Sequence, residues 1–325
     1  MSSHTIRSAE SVSPKHPDKM CDQISDAVLD AYLTGDKQSR VAVETIGGHE
    51  KVFITGEVTS HAKVDIETIV KRIAGDVELE VRIAHQSPEI ANGVDTGGAG
   101  DQGIMVGYAT SETPEFLPLE VVLSRKLNQY LYERWPFDGK TQVTLRDGKI
   151  ESLVASFQNA PKEELAIEVQ KWTKQEVSAR LAEDVRFHIN PAGDWRVGGF
   201  DADAGLTGRK LVVDNYGPRI PIGGGCFSGK DPSKVDRSAA YAARKIAIDY
   251  LKKRHASEVF VHLAYAIGYA EPLEATVTIN GVQEEVIGYD LTPGGIITLL
   301  DLRQPQYEQT ARYGHFGHDH FSWEQ

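Results

Sequence analysis

Between Gly223 and Arg237 the chain reads Gly-Gly-Gly-Cys-Phe-Ser-Gly-Lys-Asp-Pro-Ser-Lys-Val-Asp-Arg, a glycine-dense loop that runs into a helix-forming stretch. Such a loop suits a polyphosphate. Glycines let the backbone approach an anion closely, Lys230 and Lys234 supply positive charge, and the following helix directs its positive end at the ligand. Asp231 and Asp236 leave room for a divalent cation. Gly224 and Gly229-Lys230 have the spacing of a Walker loop, but Asp231 stands where Ser or Thr should bind magnesium. Pro218 and Pro221 also break the strand-loop-helix context that motif needs. A glycine-rich surface turn with incidental lysines is the plainer alternative.

Three shorter stretches carry the same chemistry. His16-Pro-Asp-Lys19 puts an imidazole, a carboxylate and an ammonium at a helix entrance, where the dipole favours an anion and Asp18 is placed to hold a metal; a simple helix cap would read alike. Asp138-Gly-Lys140 has the form of a β-turn leading into a strand. Asp203-Ala-Gly-Leu-Thr-Gly-Arg-Lys210 adds a carboxylate and two cations. No Gly-x-Ser-x-Gly, zinc-ligand helix or dinucleotide fingerprint occurs, so covalent, zinc-hydrolytic and redox chemistry lack support. The tail carries His315, His318 and His320, and packing of the terminus is favoured over a transition-metal site.

The elements that must position these groups alternate in type. Helical spacing runs from Pro17 to Gly35, and β-branched alternation predicts strands over 40–45 and 51–58, placing Glu44 and Glu57 inside them. A helix over 65–73 and a strand over 77–83 follow. Residues 85–103 lack any period and read as a long loop keeping Gln86, Asp95 and Asp101 as potential ligands, with 85–97 a mobile lid. Beyond it the pattern predicts helices over 119–131, 162–182 and 232–253, the last begun by Pro232, and strands over 140–145, 150–157, 209–214, 259–267 and 275–279. Strands and helices recur in about three blocks, which is an α+β pattern.

The chain has 325 residues and a net charge of −12, which argues against a nucleic-acid partner, so any anion site is local. No apolar run approaches the length of a membrane span, and the N-terminus lacks a signal-type core; a cytoplasmic protein is expected. Cys21 and Cys226 are too few and too far apart for a disulfide scaffold or a zinc site.

Taken together, His16 to Asp30, Gly98 to Gly103, Gly205 to Lys210, Gly223 to Ala243 and the closing Tyr313-Gly-His-Phe-Gly and Trp323-Glu resemble, in order, the signature segments of the S-adenosylmethionine synthetase family. The resemblance implies three α+β domains of similar βαβ-containing topology in a pseudo-threefold arrangement, here 1–84, 98–195 and 196–325. It further implies synthesis of S-adenosylmethionine from ATP and methionine with hydrolysis of the displaced triphosphate. Two magnesium ions and potassium would be cofactors, and homodimers or homotetramers would form active sites at the dimer interface. By that resemblance His16 contacts the leaving oxygen, Asp18 and Asp236 hold magnesium, and Glu44 holds potassium. Lys140, Arg209, Lys210 and Lys230 grip phosphates. Glu57, Gln86, Asp203 and Lys234 surround methionine. Asp138, Gly139, Asp194, Trp195 and Cys226 line the ATP site, Trp195 stacking on adenine, and Asp101 lies close by. The chain departs from the family pattern at Pro14-Lys15, Asn159, Asp194 and Cys226, and the region before Gln86 and the lid after it are shorter than in many members. Two alternatives remain at this point, a kinase or P-loop ATPase releasing ADP and a catalytically silent nucleotide-binding subunit.

Overall fold

A computed structural model describes residues 5–85 and 97–325. In chain order the elements are β1 (Ile6–Val12), α1 (Pro17–Gly35), β2 (Arg40–Gly48), β3 (Lys51–Thr59), α2 (Ile66–Ala74), β4 (Glu78–Ala84), β5 (Gly103–Thr110), α3 (Leu119–Arg134), β6 (Gly139–Arg146), β7 (Lys149–Phe157), α4 (Lys162–Glu176) and β8 (Leu181–Ile189). There follow β9 (Gly205–Leu206), α5 (Leu211–Asp214), α6 (Val235–Arg254), β10 (Glu258–Tyr265), β11 (Glu274–Ile279), β12 (Val282–Glu285), α7 (Pro293–Leu299) and α8 (Tyr307–Tyr313).

The strands form three four-stranded sheets with one plan. In each, a helix leads into three consecutive strands, and the fourth strand comes from elsewhere: the orders are β9-β2-β3-β4, β1-β6-β7-β8 and β5-β10-β11-β12. The borrowing is cyclic. The N-terminal segment gives β1 to the central sheet, the central segment gives β5 to the last sheet, and the C-terminal segment gives β9 to the first. Three strands, β1, β5 and β9, thus pair in sheets otherwise built by another segment. In the first two sheets a right-sized helix crossover makes the final pair parallel, β3 with β4 and β7 with β8. The third ends in an antiparallel hairpin, β11 with β12.

Burial follows the strand period. On β2, Val41, Val43 and Thr45 are buried beneath α1 while Ala42, Glu44 and Ile46 face outward, Ile46 being 47% exposed. One core joins the first and third sheets through α1 and α6; a second lies between the central sheet, α3 and α4.

Several elements differ from the sequence reading for identifiable reasons. Residues 211–214 form a helical turn, not a strand, because Asp214 is pinned by buried Lys19 and its turn's carbonyls are taken by Arg125. Helix α4 stops at Glu176, and 181–189 is a strand in which Val185, Phe187 and Ile189 alternate. Helix α6 begins at Val235, since Asp231 to Lys234 is a turn with Pro232 second, closed by the Lys234 amide donating to the Asp231 carbonyl. Strands β1, β5 and β12 were unread. Small polar residues hide β1, and β5 is buried on both faces from Met105 onward and so carries an unbroken apolar run.

Candidate functional site

Helix α1 organises the site. Pro17 occupies its first turn, and His16 caps it, the imidazole Nδ1 accepting the Asp18 amide at 3.2 Å. Asp18 is fully buried, and its Oδ1 accepts the Leu206 amide at 3.0 Å and pairs with Arg209 Nε at 2.9 Å. Its Oδ2 takes Lys210 Nζ at 2.5 Å. Burial first, then the charges of Lys210 and Lys140, draw the His16 pKa down to about 3, so its ring is neutral. The Asp18 carboxyl is held below its usual range, hydrogen bonds from Lys210 and the Leu206 amide outweighing burial. Gly205 touches the Pro17 carbonyl so closely that no β-carbon fits, which lets β9 lie against the helix start.

Asp138 closes this group. It is 8% exposed; one carboxylate oxygen accepts the Gly199 amide at 3.1 Å and the other is buried without a partner. Burial raises its pKa, opposed by the Gly199 amide and Lys140. The neighbouring Trp195 Nε1 is also buried and unpartnered, and the Trp195 carbonyl accepts the Asn159 amide at 2.9 Å. Gly139 starts β6 with its backbone against the Phe157 ring. Asp203 is exposed and turns its Oδ1 to the next amide.

A second group lies further along β2. Lys230 bridges Ala42 and pairs with Asp236 at 2.5 Å. With Glu44, Thr55, Glu57 and Ser228 it lines a pocket of about 290 Å³. Lys234 pairs at 2.5 Å with Asp231, which is fully buried and accepts the amides of Val41 and Ser233. Asp231 therefore ties the loop to β2 instead of facing a metal. The second group meets β2 at Ala42 and the first at Ile46 and Gly47, a separation of roughly 13–17 Å along the strand. Asp101 is exposed ahead of β5, whose first residue, Gly103, lies near Asp236. Gln86 and Asp95 lie outside the described residues. A cleft of about 730 Å³ between the β2–β3 turn, the α2–β4 connection and residues 198–201 contains none of the expected site residues. Its volume is no guide here, because Lys140, Arg209, Lys210 and Lys230 lie elsewhere.

Family models for the N-terminal, central and C-terminal domains of S-adenosylmethionine synthetase match residues 4–95, 96–195 and 197–325. The chain belongs to the S-adenosylmethionine synthetase family. It is 42% identical to S-adenosylmethionine synthase 1 of Frankia casuarinae over 99% of this chain and 96% of the relative. It is also 42% identical to the S-adenosylmethionine synthase of Brachyspira hyodysenteriae, over 98% and 95%, and to that of Helicobacter hepaticus, over 97% and 94%.

Within this family member, a ladder of aspartates that the sequence reading missed positions both groups. Asp18, Asp22, Asp26 and Asp30 recur every fourth residue, on one face of α1. Asp22 accepts the Gly208 amide at 2.8 Å and pairs with Lys19 at 3.1 Å. Asp26 accepts the Gly229 amide at 2.8 Å and grips Arg237 through both nitrogens, at 2.6 and 2.9 Å. Arg237 in turn donates to the Lys230 carbonyl at 3.2 Å. Asp30 accepts the amides of Gln306, Tyr307 and Glu308 at the start of α8. The i, i+4 repeat of one residue type was the available signal.

Local structure accounts for departures from the family pattern. Lys15 donates to the last turn of α2 through the Ile73 carbonyl at 2.9 Å. Asn159 has φ of +61°, which suits asparagine. Asp194 accepts the Lys162 amide at 2.9 Å and so caps α4. Cys226 packs on Gly208, and burial pushes its thiol pKa up.

Proposed function

We infer that this chain forms S-adenosylmethionine from ATP and L-methionine, releasing pyrophosphate and phosphate. The observation that carries the reading is the convergence of Lys140 and Lys210 on a neutral His16, with Arg209 on the adjoining Asp18, in a chain matched end to end by the family. The methionine sulfur donates a lone pair to the ribose C5′, the C5′–O bond breaks, and its electron pair leaves with the triphosphate. A thioether has no proton to lose, so no base is needed, and the task is to stabilise growing charge on the leaving oxygen. His16 suits that task. Its Nδ1 accepts a backbone amide, so the neutral ring carries its proton on Nε2, free to donate. Lys140, Arg209, Lys210 and Lys230 hold the phosphates, and Asp101 and Cys226 flank them. The unpartnered atoms of Asp138 and Trp195 offer an acceptor and a donor to the nucleoside. Glu57, Gln86, Asp203 and Lys234 take methionine.

Among the described residues no three His, Cys, Asp or Glu side chains converge as a metal cage. That fits magnesium, which binds through one or two carboxylates together with phosphate oxygens and water. Asp18 and Asp236 are the carboxylates for it, and Glu44 the one for potassium. Bound magnesium would neutralise triphosphate charge.

The two groups along β2 support a site shared by two protomers, the first group facing the second group of the partner. The outward face of β2 and β3, where Ala42, Ile46, Phe53 and Thr55 lie alongside the two glutamates, packs against no α-helix among the described residues and suits a second copy. No described helix is long and apolar enough to cross a membrane, and we place the reaction in the cytoplasm. Incubating the pure protein with ATP, methionine, magnesium and potassium should give S-adenosylmethionine by mass spectrometry. Accumulation of ADP in its place would point to a kinase and end this reading.

A further inference from the structure

The two carboxylates reserved above for a divalent cation are held by the very side chains reserved for phosphate. Asp18 receives Arg209 and Lys210, at 2.9 and 2.5 Å, and Asp236 receives Lys230 at 2.5 Å. Glu44, on the neighbouring strand, has no cation on it among the described residues and is exposed.

We propose that Asp18 and Asp236 act as internal counter-ions for the phosphate-gripping cations, so that a divalent ion and a polyphosphate each bind more tightly when the other is present. A dication approaching Asp18 alone meets two positive charges and an amide already on the carboxylate. A polyphosphate arriving alone must draw the same cations away from buried acids. When both arrive, Arg209, Lys210 and Lys230 turn to phosphate and both carboxylates are released to the metal, so each binding event removes the obstacle to the other. The backbones need not move. The Leu206 amide holds Asp18 in place, and Asp26 and Arg237 clamp residues 229 and 230, leaving side-chain rotation as the exchange. The gain is reciprocal, as any coupling between two ligands must be.

This proposal rests on the reading of the site as one for a metal–triphosphate. The test is calorimetric titration of inorganic tripolyphosphate into the full-length protein with divalent ions removed, comparing wild type with Asp18→Asn, Asp236→Asn and Glu44→Gln. A metal that bridges to phosphate would couple the two ligands by itself, so the metal-free arm is the decisive one. Asp18→Asn and Asp236→Asn should bind metal-free tripolyphosphate about tenfold more tightly than wild type, within the usual range of site-to-site coupling. Glu44→Gln should change little. Added magnesium should tighten binding by wild type and do less for Asp18→Asn. Equal affinities for wild type and both asparagine variants would overturn the proposal, as would a gain in Glu44→Gln matching theirs, since that would be general electrostatics. Should Asp18→Asn lose its cooperative thermal transition, Asp236→Asn decides alone. Product formation by wild type is measured separately: product without the metal-free shift refutes this proposal and leaves the activity standing.

Discussion

Lys230 has its main chain held from two sides and its ammonium on Asp236. Its carbonyl is gripped by Arg237, its neighbour's amide by Asp26, and only its side chain reaches the pocket with Glu44 and Glu57. Replacing Lys230 with methionine should therefore lower turnover by about two to three powers of ten, the scale of losing one preorganised electrostatic contact, with the thermal transition little changed. Wild-type-like turnover would remove its role. His16 gives a spectroscopic prediction. Its imidazole should not titrate between pH 5 and 8, and Lys210→Met should raise its pKa, because Lys210 is the largest charge acting on it after burial; proton NMR of the ring reads both. The candidate residues stood out in the sequence because glycine-rich loops, a proline at a helix start and clustered cations have few other uses. What could not be read was which atoms they face. Asp231 looks like a metal ligand beside Lys230 and Pro232, and only the fold turns it toward the amide of Val41.

At the level of elements, α1 acts as a ruler. Four aspartates one turn apart set the positions of residues 206–210, 229–237 and 306–308, so spacing on the helix becomes spacing between loops. Asp26→Ala should destabilise the protein by about 3–5 kcal/mol in urea titration, because it leaves the Arg237 guanidinium buried without its counter-charge. A loss under 1 kcal/mol would show that Arg237 finds another partner. Helices with strong periodicity and end signals, α1 above all, were readable within a residue or two. Elements whose state is imposed from outside were not. The Val212-Val213 pair has strand character, yet Lys19 and Arg125 hold it as a helical turn.

For the molecule as a whole, buried imidazoles set the acid limit. His315 is fully enclosed; burial, then Arg237, Lys19 and Arg125, keep its pKa well below 6.5. The native state therefore binds fewer protons than the unfolded chain as pH falls below 6.5, and stability is lost in that direction. Asp22 and Asp30, raised to about 6 chiefly by burial, act with the opposite sign between about 4 and 6. His315→Gln removes one of the former, so its loss of stability between pH 7.5 and pH 5 should be smaller than that of wild type by about 2 kcal/mol in urea titrations. Equal losses would mean that His315 protonates without unfolding. If active sites join the two groups from different protomers, refolding together His16→Ala and Lys230→Met, each inactive alone, should restore about a quarter of wild-type activity. Half the dimers would then be mixed, each with one intact site. No recovery would place both groups of a site in one chain.

The cyclic exchange of strands also bears on how the chain is made. Residue 6 pairs with residue 146, and residue 46 with residue 206. On the ribosome, the first strand to emerge waits unpaired until well over a hundred further residues have been translated. The first sheet then stays open along one edge until two-thirds of the polypeptide is out. No early portion can close on its own, so protection of these edges during synthesis falls to whatever else can cover them, and the loops proposed to hold phosphate take shape no earlier.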